Sequence, residues 1–298
     1  MVFLGPTLNR ESAQAILPAT YLPPVSLGDV CDLVLDRDPP PVAIGIIDGY
    51  FDQVPAVWHK EILFALSRGV AVFGASSMGA IRASELARFG MVGVGRIFEG
   101  FVSGMYQDAD VALLHGPPAT DYVQFTVPMV DIHEGLAASI RGGVIEPATA
   151  EVIAHDLGGV PYVARTATVV CEVVGRLVTD GDERRSAILS AVLTPSKRAD
   201  SIELLGVMAQ AASRGSWPAP VDFAFEPTYL WDKLCRTVRR ARKVQEQDSG
   251  AADSGTSLLT LLVRREDERL GLVLDSEVGD RDAAALQALL ERFRSELT

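Results

Sequence analysis

The chain has 298 residues, 48% of them hydrophobic, and a formal net charge of −12 at pH 7. That length supports one large domain or two modest ones with real apolar cores. The acidic balance excludes a general nucleic-acid binder, because no cationic surplus exists to neutralise phosphates.

In chain order, the N-terminal MVFLGPTLNR has no basic n-region and no cleavage site, so no secretory signal is expected. VFLG (2–5) reads as a short strand closed by Gly-Pro, ESAQAIL (11–17) as a helix, and LGDVCDLVL (27–35) as a second helix. PVAIGIID (41–48) is a continuous apolar run that suits a buried parallel strand. PAVWHKEILFALSRG (55–69) has Pro at its first helical position and Gly at its end, a helix frame. VAVFG (70–74) is another buried strand, followed by a helix from Met78 to Phe89. Strand–helix alternation at this spacing predicts an α/β half, a small parallel sheet flanked by helices in Rossmann-like fashion, over residues 1–133.

Residues 93–135 are less regular, and a mainly helical half is expected over 134–243. The Gly/Ser/Asp-rich stretch at 244–257 reads as a flexible acidic linker, and 258–298 as a C-terminal helical tail. The longest uncharged stretch, GVAVFGASSMGAI, is interrupted by glycines and serines and is too short to span a bilayer. Cys31, Cys171 and Cys235 lack metal-ligand spacing and read as buried thiols of a reducing cytoplasm. His59, His115, His133 and His155 form no zinc motif, so no metal is expected, and the Ser-Lys chemistry below requires no cofactor. Lys233, Arg236, Arg239, Arg240, Arg242 and Lys243 cluster before the linker, as a solvated helix face or a patch for an acidic partner.

Chemistry concentrates in VFGASSMGAIRASEL (72–86). A strand-to-helix elbow frees the first-turn N–H groups to stabilise an oxyanion, here those of Met78 and Gly79. Ala75 and Gly79 flank Ser77 in an approximate G-x-S-x-G pattern. The competing reading makes Ser76 or Ser77 a helix N-cap. Lysine is rare here, and Lys60 is the only one in the first 196 residues. Its same-face neighbours Ala56, Val57, Leu63 and Phe64 are apolar, so it either snorkels from a core face or is held neutral as a base. The helix from Arg68 back to Lys60 spans roughly 12 Å, and the strand from Val70 toward Ser76 roughly 20 Å. Both side chains can thus reach the carboxyl edge of one sheet, where open α/β sheets place ligands. A Ser77–Lys60 pair is the simplest chemistry available, with Lys60 accepting the Ser77 proton. Ser76 is then a structural neighbour. His59, Asp48, His115 and Thr7 are possible supporting residues, and Arg82 with Glu85 read mainly as a surface pair.

The block IIDGYFDQVPAVWHKEILFALSRGVAVFGASSMGAIRASELARFGMVGVGRIFEG, with GPTL before it and DVALLHGP after it, closely resembles the TfuA-like family over residues 2–135. The resemblance implies a partner of YcaO enzymes, which activate backbone amides with ATP in thioamidation of ribosomal precursor peptides or proteins. It also implies sulfide release by hydrolysis of a thiocarboxylated ThiS-type carrier, and help for YcaO in engaging its substrate. A hydrolase-like Ser-Lys pair of the family falls by motif on Ser77 and Lys60. Asp131 and His133 depart from an expected Asn and Arg, and Asp108-Ala109-Asp110 replaces paired acids. The alternative is a non-catalytic docking or activating subunit. A nucleotide-binding module is disfavoured, since neither GPTL nor GASSMG has G-x-G-x-x-G spacing.

Overall fold

The computed structural model describes residues 1–50, 54–218 and 221–247. Of the expected linker only 244–247 is described, and it continues a helix; the rest and the tail at 258–298 lie outside the described residues. Five apolar segments pair in parallel: β1 (Val2–Phe3), β2 (Tyr21–Leu22), β3 (Ala43–Ile46), β4 (Ala71–Ala75) and β5 (Val92–Val94). Their order across the sheet is β2-β1-β3-β4-β5. The central register sets Val2 opposite Gly45, Ala43 opposite Ala71 and Phe73 opposite Val92.

Eleven α-helices occur among the described residues. They are α1 (Arg10–Ile16), α2 (Asp29–Val34), α3 (His59–Ser67), α4 (Met78–Leu86), α5 (Arg96–Val102) and α6 (Met129–Arg141). The rest are α7 (Pro147–Gly158), α8 (Ala167–Leu177), α9 (Asp182–Val192), α10 (Ser196–Arg214) and α11 (Tyr229–Gln247). None is long and apolar enough to cross a membrane.

The two-residue period of a strand sends alternate side chains to opposite cores. Ile44, Ile46 and Val72 meet Val30 and Val34 of α2, Ile62 and Leu66 of α3, and Leu86 of α4. Val2, Ala43 and Phe73 face the other way, onto Ala13 of α1 and Leu204, Leu205 and Met208 of α10. A helix from the far end of the chain thus covers one face of the sheet. Gly45 makes room for it, since a Cβ there would lie 2.8 Å from the Met208 sulfur. Residues 1–236 form one compact unit, and a second begins at Thr237.

The helices between bury their own core, with Ile132, Leu136, Ile153, Leu157, Val170, Val174, Ile188 and Val192 at its centre. Gly135 lets α6 and α9 touch, because a Cβ there would stand 2.5 Å from the Ala191 backbone. Arg165 is buried among them and donates to the carbonyls of Leu157, Val127 and Val160. Cys31 and Cys235 are buried and their thiols interact. Cys171 departs from the sequence expectation of burial: it sits on the exposed side of α8.

α3 starts at His59, four residues after the expected Pro55. Its N-terminus is fastened by Glu61, which is fully buried and accepts from the Trp58 amide at 3.0 Å. The same carboxylate accepts from the Gly28 and Cys31 amides at 3.0 Å each, joining the start of α2 to the start of α3. Burial pushes the Glu61 carboxyl up to about 7 against the pull of those three amides. Asp29 is pushed to about 6, again by burial. A carboxyl whose folded pKa exceeds its unfolded value binds its proton more readily in the native state. The resulting stability is full below the unfolded value of 4.5 and is lost as pH rises through about 7. Urea midpoints should therefore rise as pH falls from about 8 to 6, and Glu61→Gln should flatten that slope.

Candidate functional site

β4 passes into α4 through two residues only. Ser76 is left-handed, with φ 67°, and the Ser77 amide donates back to the Ala75 carbonyl at 2.8 Å, closing a γ-turn. So tight a bend needs glycine on both sides. A Cβ on Gly74 would lie 2.1 Å from the Gly79 carbonyl oxygen, and one on Gly79 would lie 1.8 Å from that of Ile46. The start of α4 therefore presses directly against β3 and β4.

The two serines face different surroundings. Ser76 is fully buried; its hydroxyl donates to the Lys197 carbonyl at 2.8 Å and lies 3.0 Å from the Ser201 hydroxyl. Ser77 occupies the N-cap position of α4, yet its side chain makes no capping hydrogen bond. It lines a pocket of about 140 Å3 instead. Ser76→Ala should cost about 1–3 kcal/mol, the penalty for orphaning buried hydrogen-bond partners, while the left-handed φ strains serine and alanine alike. Ser76→Gly loses the same hydroxyl without that backbone strain, so its urea midpoint should lie above that of Ser76→Ala.

The pocket sits at the carboxyl ends of β1, β3 and β4, where the winding of the sheet reverses between β1 and β3. This is the crevice that doubly wound sheets offer to ligands. Asp48, just past β3, is buried. It accepts from the Gly5 amide at 2.9 Å, the Thr7 amide at 3.2 Å and the Thr7 hydroxyl at 2.5 Å. Thr7 and Asp48 are thus brought together, and they lock the loop after β1 to the end of β3. Gly49 follows because a Cβ there would meet the Met78 side chain at 2.7 Å.

His115, Lys197, Tyr50 and Tyr162 also line the pocket. Lys197 is 3% exposed, its Nζ donating to the Val111 carbonyl at 3.1 Å. Burial lowers its pKa, against the pull of the Asp48 and Asp131 carboxylates. Its place at the positive N-terminal end of α10 also disfavours an ammonium. Asp131 fixes that end of α10: one carboxylate oxygen accepts from the Ser196 amide at 2.9 Å, the Ser196 hydroxyl at 2.6 Å and the Lys197 amide at 3.3 Å. Asp131, the position that departs from an expected Asn, thus caps the helix that carries Lys197.

Lys60 is not among the lining residues. Its Nζ rests over the Phe225 ring, 4.9 Å from the centroid, in an aromatic group with Phe64 and Trp231. His59 and Arg82 are also turned elsewhere. His59 Nε2 lies 2.7 Å and Arg82 Nη1 2.8 Å from the same oxygen of Glu85, while Arg82 Nε donates to the Val57 carbonyl at 3.0 Å. Burial would raise the Glu85 carboxyl, but bonds from His59 and Arg82 outweigh it and hold it below the ordinary range. The trio ties α3 to α4. Of the two expected oxyanion donors, Gly79 gives its N–H to the Ile47 carbonyl at 3.3 Å. Met78 is the first helical residue, whose amide has no intrahelical partner.

Lys197 is the residue that sequence reasoning passed over. Its signal was the same rarity that drew attention to Lys60, for the chain contains only four lysines. Residues 48–166 match the model of a family described as TfuA-like protein. No curated protein matches the chain.

Proposed function

With residues 48–166 placing this chain in the TfuA-like protein family, whose members go with YcaO thioamidation systems, we propose that it releases sulfide for a YcaO partner by hydrolysing a thiocarboxylated carrier at Ser77. The carrier is of the ubiquitin-like ThiS type, and the beneficiary is the precursor peptide on which YcaO acts. The observation that supports this most is an N-cap serine that caps nothing and shares a small pocket with a buried lysine.

Serine is a poor nucleophile until a base takes its proton. Lys197, whose ammonium form burial disfavours, is the amine that takes it within the same pocket. It takes over the role that sequence spacing assigned to Lys60. Ser77 Oγ adds to the thiocarboxylate carbon, its proton passes through Lys197 Nζ to sulfur, and the C–S bond breaks to release hydrosulfide. The Met78 amide faces the charge on oxygen in the tetrahedral intermediate. Water then cleaves the Ser77 ester, leaving a carboxylate on the carrier and restoring the hydroxyl. The narrow pocket suits the slender end of a chain rather than a bulky side chain.

Purified chain incubated with thiocarboxylated carrier should release one sulfide per carrier and leave a carboxylate, read by sulfide trapping and intact mass. A chain that supports YcaO thioamidation while releasing no sulfide would instead be a docking subunit.

A further inference from the structure

His115 lines the same pocket as Ser77 and Lys197 but brings an imidazole to it. Its Nδ1 lies 2.8 Å from the Gly116 carbonyl oxygen, and a carbonyl only accepts, so Nδ1 carries the proton. In the neutral ring Nε2 is therefore left with its lone pair. The ring is held between two tyrosines: Tyr122 is edge-on at 5.6 Å between centroids, and Tyr50 is tilted at 6.3 Å. The two phenols are hydrogen-bonded to each other. Tyr122 reaches this position from a strained turn, where Asp121 and Tyr122 have φ of 52° and 55°. Left-handed backbone is costly for a bulky residue and persists where surrounding contacts over-determine it. The loop is closed below by the Gly116 amide donating to Val123 and the Phe125 amide donating to Leu114.

Both residues line the pocket, but Lys197 is buried whereas His115 is only half-buried, on the loop between Val111 and Met129. A half-buried ring can meet a water that a fully buried amine cannot. We propose that His115 is the catalytic base of the hydrolytic half-reaction, a role that rests on the Ser77 reading above. Nε2 takes a proton from the attacking water as its oxygen bonds to the acyl carbon. It returns that proton to Ser77 Oγ as the ester C–O bond breaks. Acylation belongs to Lys197 and deacylation to His115.

The test uses the full chain and acetylglycine thiocarboxylate as probe, with rapid quenching, sulfide trapping and intact mass. His115→Asn keeps a donor for the Gly116 carbonyl and removes Nε2. It should release the first sulfide at the wild-type rate, then turn over about 10²-fold more slowly, with an acetylglycyl adduct accumulating on Ser77. His115→Ala should behave likewise and regain turnover on addition of imidazole, a rescue that a merely structural role would not show. Turnover within twofold of wild type, or a slowed first turnover without adduct, overturns the assignment. Wild-type chain that releases no sulfide, or Ser77→Ala that releases it normally, overturns the Ser77 reading as well. An inert Ser77→Ala beside an unaffected His115→Asn removes His115 alone.

Discussion

Ser77→Ala is expected to lower sulfide release from a thiocarboxylated carrier by about 10³-fold or more, since loss of a serine nucleophile forfeits nearly all of the chemical acceleration. The fold should be spared. An N-cap serine normally contributes about 1 kcal/mol through its side-chain bond to the first turn, but Ser77 makes no such bond. Thermal midpoints of Ser77→Ala and wild type should therefore agree closely, in contrast to Ser76→Ala, whose lost hydroxyl is buried against Lys197 and Ser201. The same variant separates chemistry from docking. With YcaO, ATP and precursor peptide, Ser77→Ala should fail to support thioamide formation from the carrier and should regain it when inorganic sulfide is supplied. A variant that releases sulfide at the wild-type rate would end the nucleophile assignment.

How far the site could be read from sequence depended on where each constraint originates. β1, β3 and β4 were legible because they are continuous apolar runs bounded by turn residues, as buried parallel strands are. β2 and β5 were not: one is Tyr21–Leu22 alone, and the other has Gly93 at its centre. Without them the winding reversal between β1 and β3 is invisible, and with it the reason Gly5, Thr7 and Asp48 converge. The elbow was legible because its glycines and serines are local chemistry. Lys197 was not. Its neighbours Pro195, Ser196 and Arg198 are those of an ordinary exposed helix start, and its burial is imposed by Asp131 and Val111, 66 to 86 residues away in the chain. Lys60 shows the converse. The apolar surroundings inferred for it are present, and the aromatic group at Phe225 offers its charge a cation–π partner on that surface.

That contrast leads to a paired prediction on the two lysines. Lys197→Met should abolish sulfide release to within background, a loss of about 10²-fold or more for a missing base, whereas Lys60→Met should retain the wild-type rate within about twofold, because its cation–π contact is worth only about 0.5–1 kcal/mol at a partly exposed site. Stability should not follow activity. Lys197→Met removes a buried, poorly solvated amine and replaces it with an apolar chain of similar length. The Val111 carbonyl loses a donor, costing about 1–3 kcal/mol, while the desolvation burden of the amine disappears, an exchange that is often neutral or favourable. An active-site loss without a stability loss is the signature of a group retained for chemistry. Lys197→Arg sharpens the distinction between a base and a fixed positive charge. A guanidinium remains protonated and cannot accept the Ser77 proton, so Lys197→Arg should be as inactive as Lys197→Met if the amine is a base, and should retain much of the rate if only its charge matters. Wild-type sulfide release by Lys197→Met, together with loss in Lys60→Met, would return the role to Lys60 and require α3 to turn its first residues toward the pocket during catalysis.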